Sequence, residues 1–353
     1  MGPVRIGVIG AGLIGRKHIE VLRSSNPLYT LAGVADPSPA AKKEGDDLGY
    51  PIYPTLEEML DKAKPDGVIV ATPNQMHVAN GLACIARNVP IIVEKPISDT
   101  IESAMKLVEA GEKAGVAIMT GHHRRHNPIM RRAIEIIQGG GIGRVVAANA
   151  VWLAYKPKGY HDLAWRREPG GGVVLINGIH DIDCLRQMCG DIETVQATTS
   201  NAVRGFAVED TAGAVIRFKS GAIGTLIISD TAASPWNWEC TSQENPFYPY
   251  QANDSYMVTG TLGALSVPTL HHRWYDADKQ NWGLPMTERR EPIQPADPYY
   301  EQMRNFAGVI RGTEKPVLDG RNGAKTLAAT LAISISSQTG ASVRVDDMLV
   351  AKA

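Results

Sequence analysis

The sequence predicts an α/β protein in which a doubly wound parallel sheet, residues 1–122, is followed by a second α/β domain, residues 123–353. Three observations carry the prediction. Short apolar runs alternate with helical patterns between Val4 and Gly121, a glycine-rich turn joins the first run to the first helical stretch, and the texture changes after Gly121. The length of 353 residues also exceeds what one hydrophobic core usually supports.

Taken in order, Val4–Gly10, Leu31–Asp36, Gly67–Pro73, Pro90–Pro96 and Ala117–Gly121 read as buried strands. Between them, Ile14–Ser24, Leu56–Ala63, Gln75–Asn88 and Ile101–Ala114 carry apolar residues at helical spacing, the crossovers that parallel strands require. Beyond His122 come a helical pattern at Pro128–Gln138, a glycine turn at Gly139–Gly143 and a strand-like run Val145–Tyr155. Thr194–Val203, Thr211–Phe218 and Ala222–Thr231 then read as antiparallel strands, and Tyr299–Arg311 and Asn322–Thr339 as helices. All six tryptophans lie between Trp152 and Trp282, where core packing and ligand lining explain them equally well.

Composition narrows the function classes. Apolar residues at 44% and charged residues at 21% are ordinary globular usage, and a net charge of −1 lacks the basic field of a nucleic-acid binder. The four cysteines, Cys84, Cys184, Cys189 and Cys240, have neither zinc-site nor disulfide-framework spacing, so no metal and a reducing cytoplasm are expected. No run is long and apolar enough to span a bilayer, and the apolar stretch Ile6–Ile14 reads better as strand and turn than as a signal peptide.

The segment Val4–Gly15 places Gly10, Gly12 and Gly15 in a GxGxxG on the turn between the first strand and the first helix. Gly10 allows the tight turn, Gly12 lets backbone approach a pyrophosphate, and Gly15 permits close packing, while the helix N-terminus attracts phosphates. Asp36 ends the second strand 21 residues after Gly15, where a carboxylate accepts hydrogen bonds from ribose hydroxyls. The pattern predicts a Rossmann dinucleotide site. An ionised Asp36 repels a 2′-phosphate, so NAD is expected, with NADP left open by Ser38, Lys42 and Lys43 nearby.

Further motifs follow in order: His18; Ala71-Thr72-Pro73-Asn74 with His77; Glu94-Lys95-Pro96; Arg124-Arg125; Trp165-Arg166; Gly170-Gly171-Gly172; and His180 with Asp183. As an ordered set they resemble the Gfo/Idh/MocA family, named for glucose-fructose oxidoreductase, inositol dehydrogenase and a rhizopine-catabolism protein. The resemblance covers nearly the whole chain. It implies a Rossmann domain joined to an α/β domain with a large, open, mainly antiparallel sheet, in a homodimer or homotetramer. It also implies cofactor contacts from Leu13, Ile14, Ala71, Thr72, Pro73, Asn74, His77, Glu94, Lys95 and Arg124, with Trp165 and Arg166 reaching the nicotinamide from the second domain. Read without the resemblance, Thr72-Pro73 has a second, lesser reading as a loop that caps the following helix.

Oxidising an alcohol with NAD removes a hydride from carbon and a proton from oxygen, so the site needs a proton acceptor. Lys95 follows the strand Pro90–Glu94, beside the crevice, where desolvation and a cationic nicotinamide favour its neutral form. The resemblance allows a cis peptide at Pro96. His180 is the second candidate, and helical spacing puts Asn177, His180 and Asp183 on one face. The commonest family pattern has an aspartate four residues before this histidine. Here that position is Ile176, and Asn177 orients a hydroxyl without accepting a proton.

Between Gly121 and Arg167 lie nine Lys/Arg residues against Glu135 and Asp162. The resemblance makes Arg125 a substrate contact, and Lys156, Tyr160 and His161 frame the expected pocket; such donors suit hydroxyls or a carboxylate. Trp236 and Trp238, on an aromatic, proline-punctuated loop, suit stacking on a sugar ring or an oligomer contact. The leading expectation is a dehydrogenase or reductase of a sugar, cyclitol or related polyol. Alternatives are a dehydrogenase of a carboxylated cyclic diol or a semialdehyde, an NAD-dependent glycoside hydrolase, and a non-catalytic nucleotide-sensing regulator.

Overall fold

A computed structural model describes residues 2–276 and 278–350. It divides into two compact units, one holding the chain up to His126 with Asp297–Leu327, the other Asn127–Ala296 with the chain from Ala328 on.

In the first unit the elements run β1 (Val4–Ile9), α1 (Leu13–Arg23), β2 (Tyr29–Ala35), α2 (Pro39–Leu48), β3 (Ile52–Tyr53), α3 (Leu56–Lys62), β4 (Gly67–Val70), α4 (His77–Ile85), β5 (Ile91–Val93), α5 (Ile101–Ala114) and β6 (Ile118–Thr120). The strands form one parallel sheet in the order β3-β2-β1-β4-β5-β6. Parallel strands covered on both faces are apolar throughout: Ile6, Val8, Val68, Ile69, Val70, Ile91, Ile92 and Val93 have no exposed surface. Burying each of these aliphatic side chains stabilises the fold by roughly 1.5–3 kcal/mol. The chain leaves β1 on one side to reach β2 and later returns to its other side as β4. A crevice opens at such a switch point, beyond the carboxyl ends of the strands.

The second unit begins with α6 (Pro128–Gln138) and β7 (Val145–Leu153), continues through α7 (Ile179–Cys189), β8 (Ile192–Ser200), β9 (Thr211–Phe218), β10 (Ile223–Ser229), α8 (Trp238–Thr241), β11 (Tyr256–Gly260), β12 (Gly263–Val267), β13 (His271–Trp274) and β14 (Thr287–Arg290). After α9 (Pro298–Ile310) and α10 (Gly320–Thr339) come β15 (Val343–Arg344) and α11 (Val345–Leu349). The nine strands order as β14-β13-β12-β11-β7-β10-β9-β8-β15, all antiparallel except β7 with β10. Alternating exposure along β9 and β10 shows one covered face and one open face.

One assignment is corrected. Residues 297–327 were expected in the second domain, yet α9 packs into the first unit: Met303, Phe306 and Ala307 join the core of Ile6, Val8, Val34 and Ile92. Their spacing of three and one makes a single apolar helix face, which predicts burial without saying where. No helix among the described residues is long and apolar enough to cross a membrane.

Candidate active site

The glycine turn has the geometry its chemistry needs. Gly10 adopts φ +93°, and a side chain there would meet the Ala71 carbonyl oxygen at 2.7 Å. A β-carbon on Gly15 would lie 1.9 Å from the Gly10 carbonyl oxygen, so this position admits only hydrogen. Gly12, by contrast, has nothing within 4 Å. It caps α1 without a side-chain hydrogen bond, and no acid lies in the first helical turn. The exposed N–H groups of a helix start, approached over a bare glycine, fit a dinucleotide pyrophosphate.

Asp36 completes that half. One carboxylate oxygen accepts the Ala11 N–H at 2.8 Å and the other the Ser38 N–H at 2.8 Å. Burial alone would push its carboxyl up, but hydrogen bonds from Ser38 and Ala11 and the Arg16 charge outweigh burial and hold it below the ordinary carboxylate range.

Beyond β4 and β5 lie the other predicted cofactor residues. Thr72 is half-buried and accepts Asn80 Nδ2 at 3.2 Å, with Pro73 exposed and Asn74 half-buried. His77 does not face outward: it is buried, with Nδ1 2.9 Å from the Pro96 carbonyl and Nε2 2.8 Å from the Thr72 carbonyl. It ties together the loops after β4 and β5, a strut where a cofactor contact was expected. Its burial lowers its pKa, against the two carbonyls. Glu94 is likewise turned inward, its Oε1 2.7 Å from His18 Nε2 and its Oε2 accepting the Lys95 N–H at 3.2 Å. Burial opposes its charge, but the His18 hydrogen bond and the charges of His18, Lys95 and His123 keep it a carboxylate. Lys95, half-buried, lies two residues beyond the end of β5 and precedes a cis peptide at Pro96. Arg124 is buried and Arg125 half-buried on the short turn His123–His126, where the His123 ring stacks on Tyr299 of α9 at 4.7 Å.

In the second unit, Val174–Gly178 forms a π-helical turn before α7, which the sequence did not predict. The wider turn changes the angular step between Asn177 and His180, while His180 and Asp183, three residues apart in α7, keep the spacing of one helix face. Asn177 Oδ1 is buried with no hydrogen-bond partner among the described residues, whereas Asp183 accepts Gln187 Nε2 at 3.3 Å. His180 is 8% exposed. Gly172 is a close-approach position: the Glu209 carboxylate would lie 2.1 Å from a β-carbon there and accepts the Val174 N–H at 3.0 Å.

Trp238 is also corrected as a ligand contact. It is 0% exposed and its indole donates to Glu244, whereas Trp236 is 50% exposed. Trp165 is exposed, with the Arg166 guanidinium 5.3 Å from its ring. A cluster that sequence reasoning found only in part surrounds Asp230, just beyond β10. The parallel ends of β7 and β10 bring Lys156 and Asp230 together: Lys156 Nζ lies 3.4 Å from Asp230 Oδ2, His161 Nε2 3.3 Å from that oxygen, and Arg204 Nε donates to Oδ1 at 2.9 Å. Asp230 and Arg204 carried no sequence signal, because nothing local reveals which strands pair across some seventy residues.

The first unit is thus an NAD-binding Rossmann domain of an oxidoreductase. Residues 4–122 match the family model described as an oxidoreductase family with an NAD-binding Rossmann fold, and residues 130–266 match the GFO/IDH/MocA C-terminal domain. The chain belongs to the GFO/IDH/MocA family. It is similar to 1,5-anhydro-D-fructose reductase of Ensifer adhaerens, 28% identical over 97% of this chain and 98% of that protein. It is also similar to myo-inositol 2-dehydrogenase of Thermotoga maritima, 27% identical over 98% of this chain and all of that one. In fold it resembles an oxidoreductase from Agrobacterium radiobacter crystallised with NAD+, L-tartaric acid and magnesium, with a TM-score of 0.81 at 19% identity, covering 98% of this chain and 99% of that one.

Proposed function

We propose that the chain is an NAD-dependent dehydrogenase that passes a hydride between nicotinamide and a secondary alcohol or ketone of a sugar, cyclitol or related polyol. The observation that carries the reading is Lys95 at the carboxyl end of β5, in the same unit as the glycine turn and Asp36, with its backbone held by the buried Glu94. Bound NAD supplies the hydride acceptor. Lys95 takes the hydroxyl proton as the carbonyl forms, and His180 is the second proton-handling residue of the reading. Asn177, whose buried oxygen is unpartnered among the described residues, orients the substrate by accepting from a hydroxyl.

A screen of polyols, aldoses, lactones and hydroxy acids, followed by absorbance of the reduced cofactor, tests the reading. Net NADH formation is expected, with kcat/KM for NAD about tenfold or more above that for NADP, since the Asp36 carboxylate opposes a 2′-phosphate. Sugar release without net NADH points to hydrolysis instead, and tight NAD binding without turnover of any compound points to a sensor.

The reading includes a homodimer or homotetramer in the cytoplasm. Support for assembly comes from the open face of the large sheet, where register puts the exposed Val215, Ile223, Ile227 and Met257 on one side. Light scattering is expected to give two or four times the 38.0 kDa chain mass; a monomer would refute it.

A further inference from the structure

Where β7 and β10 end side by side, the second unit collects more positive charge than it pairs. Arg204 is spent on Asp230, donating both to its carboxylate and to its carbonyl oxygen. Lys156 is 8% exposed, and its ammonium makes no hydrogen bond among the described residues, with only the 3.4 Å ion-pair contact to Asp230. Tyr160 carries two cations against its ring, Lys156 Nζ at 4.4 Å and the Arg166 guanidinium at 3.9 Å from the centroid. Arg166 donates to the Tyr160 carbonyl, while its Nε is buried and unpartnered among the described residues. The neighbouring acids are committed elsewhere: Asp210 accepts from the Val203 and Arg204 N–H groups and from Thr211, and Glu209 accepts the Val174 N–H. A buried ammonium with unused donors, beside two guanidinium groups, is a costly arrangement that an added anion offsets.

We propose that Lys156, with Tyr160 and Arg166, forms a subsite for a substrate carboxylate, so that the substrate is a polyhydroxy acid and not a neutral polyol. The proposal rests on the dehydrogenase reading above and narrows it. A carboxylate accepts from the Lys156 ammonium and the Tyr160 hydroxyl at once, and relieves the repulsion among Lys156, Arg166 and Arg204. Asp230 balances one of the three cations, and a substrate carboxylate offsets a second.

Protonation of Lys156 follows. Burial foremost, then the charges of Arg204 and Arg166, lowers its pKa to about 8 against the pull of Asp230, while His161, also lowered by burial, adds little charge at neutral pH. The protonated amine holds the anion and the neutral amine does not. Affinity for the acid is therefore constant below pH 8 and falls above it, by about tenfold per unit at most.

Calorimetry on the NADH-loaded protein tests this, with D-gluconate and D-glucuronate against D-glucitol and D-glucose, and D-glucose 6-phosphate as the phosphate probe. The acids are expected to bind about 30-fold tighter than their neutral counterparts, and Lys156→Met to remove that advantage while Lys156→Arg restores most of it. Melting temperature and NADH affinity report whether each variant folds, and the pH profile of the unaltered protein needs no variant. Equal binding of acids and neutral compounds, tighter binding of the phosphate, no binding of any acid, an advantage that survives Lys156→Met, or flat affinity through pH 8 overturns the proposal. Acids that bind in a Lys156-dependent way without NADH formation overturn the dehydrogenase reading alone.

Discussion

Replacing Lys95 by alanine is expected to lower kcat by about a thousandfold, within the range for loss of a positioned proton acceptor, while NADH affinity changes by less than about threefold. Lys95 sits at the carboxyl end of β5, and its backbone N–H is held by the buried Glu94 carboxylate, which is paired in turn with His18. Truncating the side chain leaves that pairing intact, so loss of turnover with unchanged cofactor binding separates proton transfer from cofactor binding. His180→Ala is expected to lower kcat by about a hundredfold, because water replaces a proton exchanger more readily than it replaces the acceptor itself. Steady-state kinetics with fluorescence titration of NADH checks both. Normal turnover in the two variants would sink the assignment.

A second large effect is expected at the glycine turn. In Gly15→Val the new β-carbon lies 1.9 Å from the Gly10 carbonyl oxygen, a backbone atom that cannot move aside without opening the turn. NADH affinity should fall by about a hundredfold or more, with the melting temperature lowered by several degrees, roughly 4 °C for each kcal/mol of strain. Gly12→Ala supplies the contrast. Its β-carbon meets nothing within 4 Å, so the melting temperature should stay within about 1 °C. Affinity should nonetheless fall about tenfold, because the methyl group stands where the pyrophosphate approaches. Unaltered NADH binding in Gly12→Ala would show that the dinucleotide does not pass over this turn.

The fold of the first unit was legible because its signals are local. Strands buried on both faces must be continuously apolar, and β4 and β5 are, as is β1 from Ile6 to Ile9. Helix α5 announces itself by its period, and in the structure Thr100 caps it by accepting the Ser103 N–H. Helix α2 carries no such signal, because its sequence is mostly polar and only Ala41 and Gly45 are buried. The short strands β11 to β14 lack a long alternating run, and they exist through pairing with one another and with β7.

At the site, residue types were easier to name than their directions. The motifs put His77 and Glu94 beside the cofactor, and in the structure their side chains bond within the protein and brace the loops after β4 and β5. Trp238 looked like its neighbour Trp236 in a linear motif, but only one of the two has a surface to offer. The π-helical turn at Val174–Gly178 shifts Asn177 relative to His180 in a way that a 3.6-residue period cannot express.

By itself the sequence determined the parallel sheet, the glycine turn with Asp36, and the place of Lys95 after β5, because each follows from apolar runs, glycines and a charge within one βα unit. Tertiary structure alone decided that α9 belongs to the first unit, that His18 pairs with Glu94, and that Asp230 and Arg204 lie beside Lys156 and its ion-pair partner. Those features join residues far apart in the chain. Their energies depend on burial and distance, and neither quantity exists until the strands have paired.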